Sequence, residues 1–251
     1  MAADLRPVRA LTFDLWDTLV IDDSDEPKRA ALGLPPKPEA RARAFAALVA
    51  GAGVDDAAAR SAWADANAAF KVWWKQEHRT PPVAARLDHA LQALGLDRPA
   101  GFDACVDALS TMEVELPPEP LPGAAEALAA LSARWPLAII SDSIVTPAAG
   151  LRQILAHHGL ARYFSGFYFS DEVGASKPAP LAYRAAAQDL GVPVEGIVHV
   201  GDRDETDVAG ALGVGARAVY FTGAVDRGPT ASPWRCAHLS ELPALVARME
   251  G

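Results

Sequence analysis

Hydrophobic positions fall into two textures along the chain. Short apolar runs occupy 8–13, 136–140, 166–170, 197–200 and 217–221, and most of them stop abruptly at Asp, Ser or Gly. Helical, Ala-rich stretches lie between them at 123–133, 148–158, 179–190 and 206–212. Runs that are apolar at successive positions belong to strands buried on both faces. Helices of about a dozen residues between such strands predict a parallel sheet covered on both sides. Residues 21–116 read differently. They hold no convincing strand, only helical stretches at 39–49, 56–77, 83–94 and 102–114, and proline-rich segments bound the block: Pro35-Pro36-Lys37-Pro38 and Pro117-Pro118-Glu119-Pro120-Leu121-Pro122-Gly123. The pattern predicts an α/β protein. Its Rossmann-like parallel core is built from 1–20 and 117–251, and an all-helical domain, 21–116, is inserted after the first strand.

Within 56–77, spacings of seven and four put Trp63, Phe70 and Trp74 on one helical face, the arrangement of a core stripe. Trp74, with Lys75, His78 and Arg79 just beyond, is the alternative: an aromatic wall of a substrate pocket. Composition narrows the partners. Of 251 residues about half are apolar, and 32 acidic against 23 basic residues give a formal charge of −9. Such a chain repels a nucleic-acid backbone or an anionic membrane, and it binds an anionic substrate only where a local cation reverses the field. Cys105 and Cys236 stand too far apart for a short metal or redox motif and read as small buried residues of a reducing compartment. The opening Met1-Ala2-Ala3-Asp4-Leu5-Arg6 does not resemble a leader, and no uncharged run of ~18 residues exists to span a bilayer. The expectation is a cytoplasmic monomer or homodimer acting on a small anionic molecule.

The informative chemistry sits at the strand ends. In an open parallel sheet every strand terminates at one edge, where ligands bind. Asp14, Ser141 and Asp202 each close an apolar run, and Lys177 follows another, so residues more than 180 positions apart converge on one crevice.

These residues carry a family resemblance. Phe13-Asp14-Leu15-Trp16-Asp17-Thr18-Leu19 resembles the nucleophile motif of the haloacid dehalogenase superfamily. Ser141 after its strand is similar to the second motif and Lys177-Pro178 to the third. Val200-Gly201-Asp202-Arg203-Asp204-Glu205-Thr206-Asp207-Val208 resembles the fourth. The helical insertion falls where that family places its cap. The resemblance implies that Asp14 is a nucleophile forming a covalent intermediate, that Ser141 donates its hydroxyl to a substrate oxygen, and that Lys177 holds an anion beside the carboxylate. It also implies a magnesium ion held by Asp14, the Trp16 carbonyl and Asp202, with Asp207 close by. Such a hard cation offsets the acidic crevice. Asp204 and Glu205 read as solvated loop charges. Trp16, Asp142, Trp74 and Arg79 are candidate substrate contacts.

One position departs from the pattern. Phosphatases of this family usually carry a second Asp where Trp16 stands, which protonates the leaving oxygen and then activates water, and tryptophan does neither. An aromatic there suits dehalogenation, in which halide leaves without a proton, yet Asp202 and Asp207 have little use in halide displacement. The sequence therefore predicts a magnesium-dependent phosphatase acting on a small phosphorylated metabolite. A metal-free 2-haloacid dehalogenase and a catalytically silent binding protein are the alternatives.

Overall fold

A computed structural model describes residues 6–250; the stretch 1–5, on which most of the leader reading falls, lies outside the described residues. Six strands form one sheet: β1 (Ala10–Phe13), β2 (Leu137–Ser141), β3 (Gly166–Phe169), β4 (Ile197–Gly201), β5 (Arg217–Phe221) and β6 (Arg235–Cys236). Their order is β3-β2-β1-β4-β5-β6, and every pair is parallel. β1, β2, β4 and β5 are buried at every residue, as continuous apolar runs require when helices cover both faces. Chain order reverses at β1, between β2 and β4. Phe13 stands in register with Ile139 on one side and Val200 on the other, so the strand ends bearing Asp14, Ser141 and Asp202 lie side by side.

The chain divides into two compact units, residues 1–22, 118–142 and 155–251 in one and 23–117 with 143–154 in the other. The second unit is helical: α1 (Glu26–Ala31), α2 (Lys37–Ala50), α3 (Asp56–Lys75), α4 (Val83–Ala93), α5 (Phe102–Ser110) and α6 (Met112–Glu115). Asp55 caps α3 by accepting from the Ala58 amide at 2.8 Å, which satisfies one of the donors a helix start leaves open. Phe45 of α2 stacks on Trp63 of α3 with ring centres 5.7 Å apart, and Leu87, Leu91, Phe102 and Leu109 complete that core. Trp63 and Phe70 are buried as a core stripe requires, while Trp74 is only half-buried.

The sequence boundary assigned all of 117–251 to the α/β core, whereas the structure groups Ser143–Ile154 with the helices. Polar ties made by this segment account for the difference: Arg86 donates to the Ile144 carbonyl and Thr146 to the Glu113 carboxylate.

The α/β unit is completed by α7 (Ala124–Ser132), α8 (Ala148–His157, which begins in the other unit), α9 (Ser170–Val173), α10 (Leu181–Asp189), α11 (Ala209–Gly213) and α12 (Leu242–Met249). Tyr183, Ala186, Val208, Ala211 and Tyr220 pack with Ala10, Ala138 and Ile197 in one cluster of this core. Both cysteines are buried and free. No helix among the described residues is long and apolar enough to cross a membrane.

Candidate active site

Asp14 is the first residue past the central strand, and its amide donates to the Val200 carbonyl at 2.9 Å. The β1 and β4 ends are thereby fastened together where chain order reverses, the position at which open α/β sheets bind ligands. Lys177 reaches in from the loop after α9. Its ammonium donates to Asp14 Oδ1 at 2.5 Å and to Asp207 Oδ1 at 2.6 Å. The loop is itself fixed, because Asp142 Oδ1 accepts from the Lys177 amide at 3.0 Å. Asp142 thus acts at least partly on the backbone that aims Lys177.

Asp207 lies on a wide π-helical turn, Asp204–Val208, that leads into α11, a local geometry often found at functional sites. Its Oδ2 accepts from the Arg203 amide at 2.9 Å. The side chain passes so close to β4 that a Cβ on Gly201 would stand 2.4 Å from its carboxylate carbon. His199 Nε2 is 3.3 Å from Asp207 Oδ1, and its Nδ1 is 2.9 Å from the Thr12 hydroxyl. Burial lowers the His199 pKa and favours the neutral ring. A carboxylate only accepts, so the partners assign the proton to Nε2, and Nδ1 accepts from Thr12. Tyr183 stands edge-on to this imidazole at 5.1 Å and donates to the Thr206 carbonyl at 3.2 Å.

Asp202, at the end of β4, has one oxygen engaged: Oδ2 accepts from Arg227 Nε at 2.6 Å. The same guanidinium donates to Asp17 Oδ2 at 2.6 Å, and Asp17 Oδ1 accepts from the Asp22 amide at 3.0 Å. Asp17 is therefore held in a structural bridge. Asp202 Oδ1 is buried without a hydrogen-bond partner, its one cationic neighbour being Arg203 Nε at 4.0 Å, and Ser141 Oγ at the end of β2 is likewise buried without a hydrogen bond.

Charge in the crevice is uneven. Oxygens of Asp14, Asp202 and Asp207 all lie within 4.8 Å of one another. Burial pushes the Asp14 carboxyl up to about 7; Lys177 opposes this, while the Asp207 and Asp202 charges add to it. Asp202 is raised for the same reasons, burial first and then Asp207, against the pull of Arg227. Asp207 goes the other way. Burial would raise it, but Lys177 and the His199 hydrogen bond hold it below the ordinary carboxylate range. Lys177 stays firmly protonated, because Asp14, Asp207 and Asp142 outweigh its desolvation. Three carboxylates crowded together, with one buried oxygen unsatisfied, form a donor set that suits a hard divalent cation.

The structure brings Asp14, Lys177, Asp202 and Asp207 into contact range, with Ser141 on the adjoining strand end. Trp16, half-buried, bridges to Val20 within the loop after β1. Asp204 accepts from the Ala231 amide at 2.7 Å and so anchors a loop. Trp74 and Arg79 belong to the helical unit. There the Lys75 ammonium lies 3.8 Å over the Trp74 ring, and Arg79 pairs with Glu77 at 2.7 Å.

Sequence reasoning missed Thr12, His199, Tyr183 and Arg227. Thr12 and His199 left a trace, since each is a polar residue inside an otherwise apolar strand and the two are register partners. Arg227 left none, because its segment between β5 and β6 has no periodicity.

Together the sheet and crevice define a doubly wound α/β protein with a carboxylate–lysine centre at the strand ends. A family model described as haloacid dehalogenase-like hydrolase matches residues 8–215, and the chain belongs to that family. Phosphoserine phosphatase of Thermus thermophilus is 44% identical over 87 residues, 33% of either protein. The chain spans only 33–37% of the length of the first curated relatives it matches. Among solved structures, a HAD phosphatase from Thermococcus onnurineus aligns with TM-score 0.66 at 22% identity, covering 95% of this chain and 98% of that one. A 2-haloacid dehalogenase from Pseudomonas syringae pv. Tomato aligns with TM-score 0.67 at 23% identity, covering 96% and 99%. At those identities the two structures establish the shared fold.

Proposed function

We propose that the protein is an aspartate-nucleophile phosphatase acting on a small phosphomonoester with the help of magnesium. The observation that carries this reading is the Asp14–Lys177–Asp207 contact beside Asp202, whose second oxygen is buried and accepts no hydrogen bond. Phosphatase relatives support the same choice.

Lys177 engages Asp14 Oδ1, which leaves Oδ2 as the nucleophilic oxygen. Its attack on phosphorus breaks the ester P–O bond, expels the leaving group as its oxyanion, which takes a proton from solvent where it needs one, and leaves an aspartyl phosphate. Water then attacks that phosphorus, returning Asp14 and inorganic phosphate. The Ser141 hydroxyl, with no other partner, is available to donate to a phosphoryl oxygen. Lys177 stabilises charge on the transferred group, an electrostatic contribution that dominates phosphoryl transfer. Magnesium would be held by Asp14, Asp202 and the Trp16 carbonyl, with Asp207 directly or through water, and would supply further neutralisation of the phosphoryl oxygens. Trp16 donates no proton, so substrates with good leaving groups, acyl or enol phosphates, fit this site best. Trp74 and Arg79 are proposed substrate contacts of the helical unit, which would act as a cap, and the protein is proposed to act in the cytoplasm as a monomer or homodimer.

Trp16 also motivates a second reading, attack of Asp14 on the carbon of a 2-haloacid. One experiment separates them: turnover of phosphate monoesters, acyl phosphates and 2-haloacids, with and without chelator, by wild type and Asp14→Asn. The expected result is phosphate release that EDTA abolishes and magnesium restores, lowered by about 10⁴-fold or more in Asp14→Asn. Chelator-resistant halide release would replace the phosphatase reading with the dehalogenase one. Full activity in Asp14→Asn would end both.

A further inference from the structure

Arg86 lies in the helical unit, on α4, and is 5% exposed. Its guanidinium lies 3.5 Å from the centre of the Phe70 ring. One Nη donates to Asn67 Oδ1 at 3.3 Å and the other to the Ile144 carbonyl. The Nε–H is buried without a partner. A guanidinium offers five N–H donors, so most of this fork is unused. No carboxylate among the described residues pairs with it.

Glu113, the acidic residue that ties the same 143–154 segment to the helices, is already committed. Glu113 accepts from Arg41 at 3.3 Å, stands 3.3 Å from Lys37, and also takes the Thr146 hydroxyl. Arg41 on α2 carries a buried Nε without a partner of its own. Burial, and then the like charge of Arg41, pull the Arg86 pKa down to about 9. In a chain with net charge −9, a buried cation left without an anion stands out. Phe70 and two neutral acceptors offset only part of the cost of desolvating it.

We infer that Arg86 is the anchor of an anion-binding subsite inside the helical unit, whose ligand is a small oxyanion, a carboxylate or a phosphate group. The Nε–H and the remaining Nη hydrogens are the donors, and a planar fork matches the geometry of such an anion. Every residue of the subsite belongs to the helical unit. The inference therefore stands whether or not Asp14 is a phosphatase nucleophile.

The test reads the Arg86 Nε–H signal by ¹⁵N NMR in the full chain, assigned by its loss in Arg86→Lys, while inorganic phosphate or malonate is added at constant ionic strength. The expected result is a saturable shift with an apparent Kd on the order of 1 mM, absent with chloride. Tighter response to phosphate names phosphate as the ligand, and tighter response to malonate names a carboxylate. A shift that follows ionic strength alone, or no shift, overturns the inference. Arg86→Met keeps the apolar stem over Phe70 and removes the charge. It should weaken anion binding by about 10- to 100-fold and shrink the anion-induced rise in Tm. A purely structural arginine would instead lower Tm equally with and without anion, and that outcome also overturns the proposal.

Discussion

At the scale of single residues the crevice is a contest over one proton. In the proposed reaction Asp14 must be anionic to attack, yet burial and two neighbouring carboxylates favour its neutral form, and Lys177 is what opposes them. Asp14→Asn removes a charge from this crowd. Its Tm in metal-free buffer is expected to equal or exceed that of wild type by a few degrees while turnover is lost; a large fall in Tm would mean that the Asp14–Lys177 pair holds the fold together. Trp16→Asp introduces a carboxyl in the loop beside the proposed nucleophile and is expected to raise turnover of unactivated phosphate esters by about tenfold or more. No gain for any ester would show that proton supply does not limit the rate. The convergence of Asp14 and Asp202 was legible because each directly follows an apolar run, and that of Lys177 and Asp207 through the motif order that the family resemblance supplies. What Asp17 does was not legible, since its role depends on Arg227, which is 210 positions away and met only through the fold.

At the scale of elements, long and strongly patterned segments were read well and short ones were not. β5 falls at 217–221 in both sequence and structure, because five apolar or amphipathic residues between turns leave little choice. The expected helix at 102–114 is two pieces, α5 and α6, parted at Thr111, whose hydroxyl donates to the Asp107 carbonyl. α1, β6 and α12 escaped notice. β6 has two residues, and its pairing with β5 at Tyr220 and Phe221 comes from the sheet edge rather than from its own composition. The turn after β4 was read as helix from 206, but it opens as a π-helical turn and becomes α-helical only at Ala209. Gly201 explains why this turn sits so near the strand. Gly201→Ala would drive a methyl into Asp207 and is expected to cost about 1–3 kcal/mol. A thermal melt together with magnesium dependence measures it, and unchanged values for both would mean that Asp207 is free to move.

At the scale of the molecule, the acidic crevice couples stability to pH and, with the proposed magnesium bound, to metal. The Asp14 carboxyl is raised from 3.8 to about 7 on folding. Between those values the folded protein holds a proton that the unfolded chain has lost, so stability falls as pH rises through the window. Asp202 is shifted in the same direction. Asp207, shifted downward, acts only below the window. A cation that binds the ionised carboxylates reverses the loss. Magnesium is therefore expected to raise Tm more at about pH 8 than at about pH 5, with the difference reduced in Asp14→Asn. Equal increments at both pH values would place the ion elsewhere.

The strand order has a consequence for biosynthesis. β1, with Asp14 at its tip, is synthesised before β2 and β4, and it becomes an interior strand only once they flank it. Lys177, Asp202, Asp207 and Arg227 all follow Asp14 far along the chain. A chain interrupted between Asp14 and Lys177 thus carries the proposed nucleophile without its ammonium partner, and the proposed chemistry waits for the later segments.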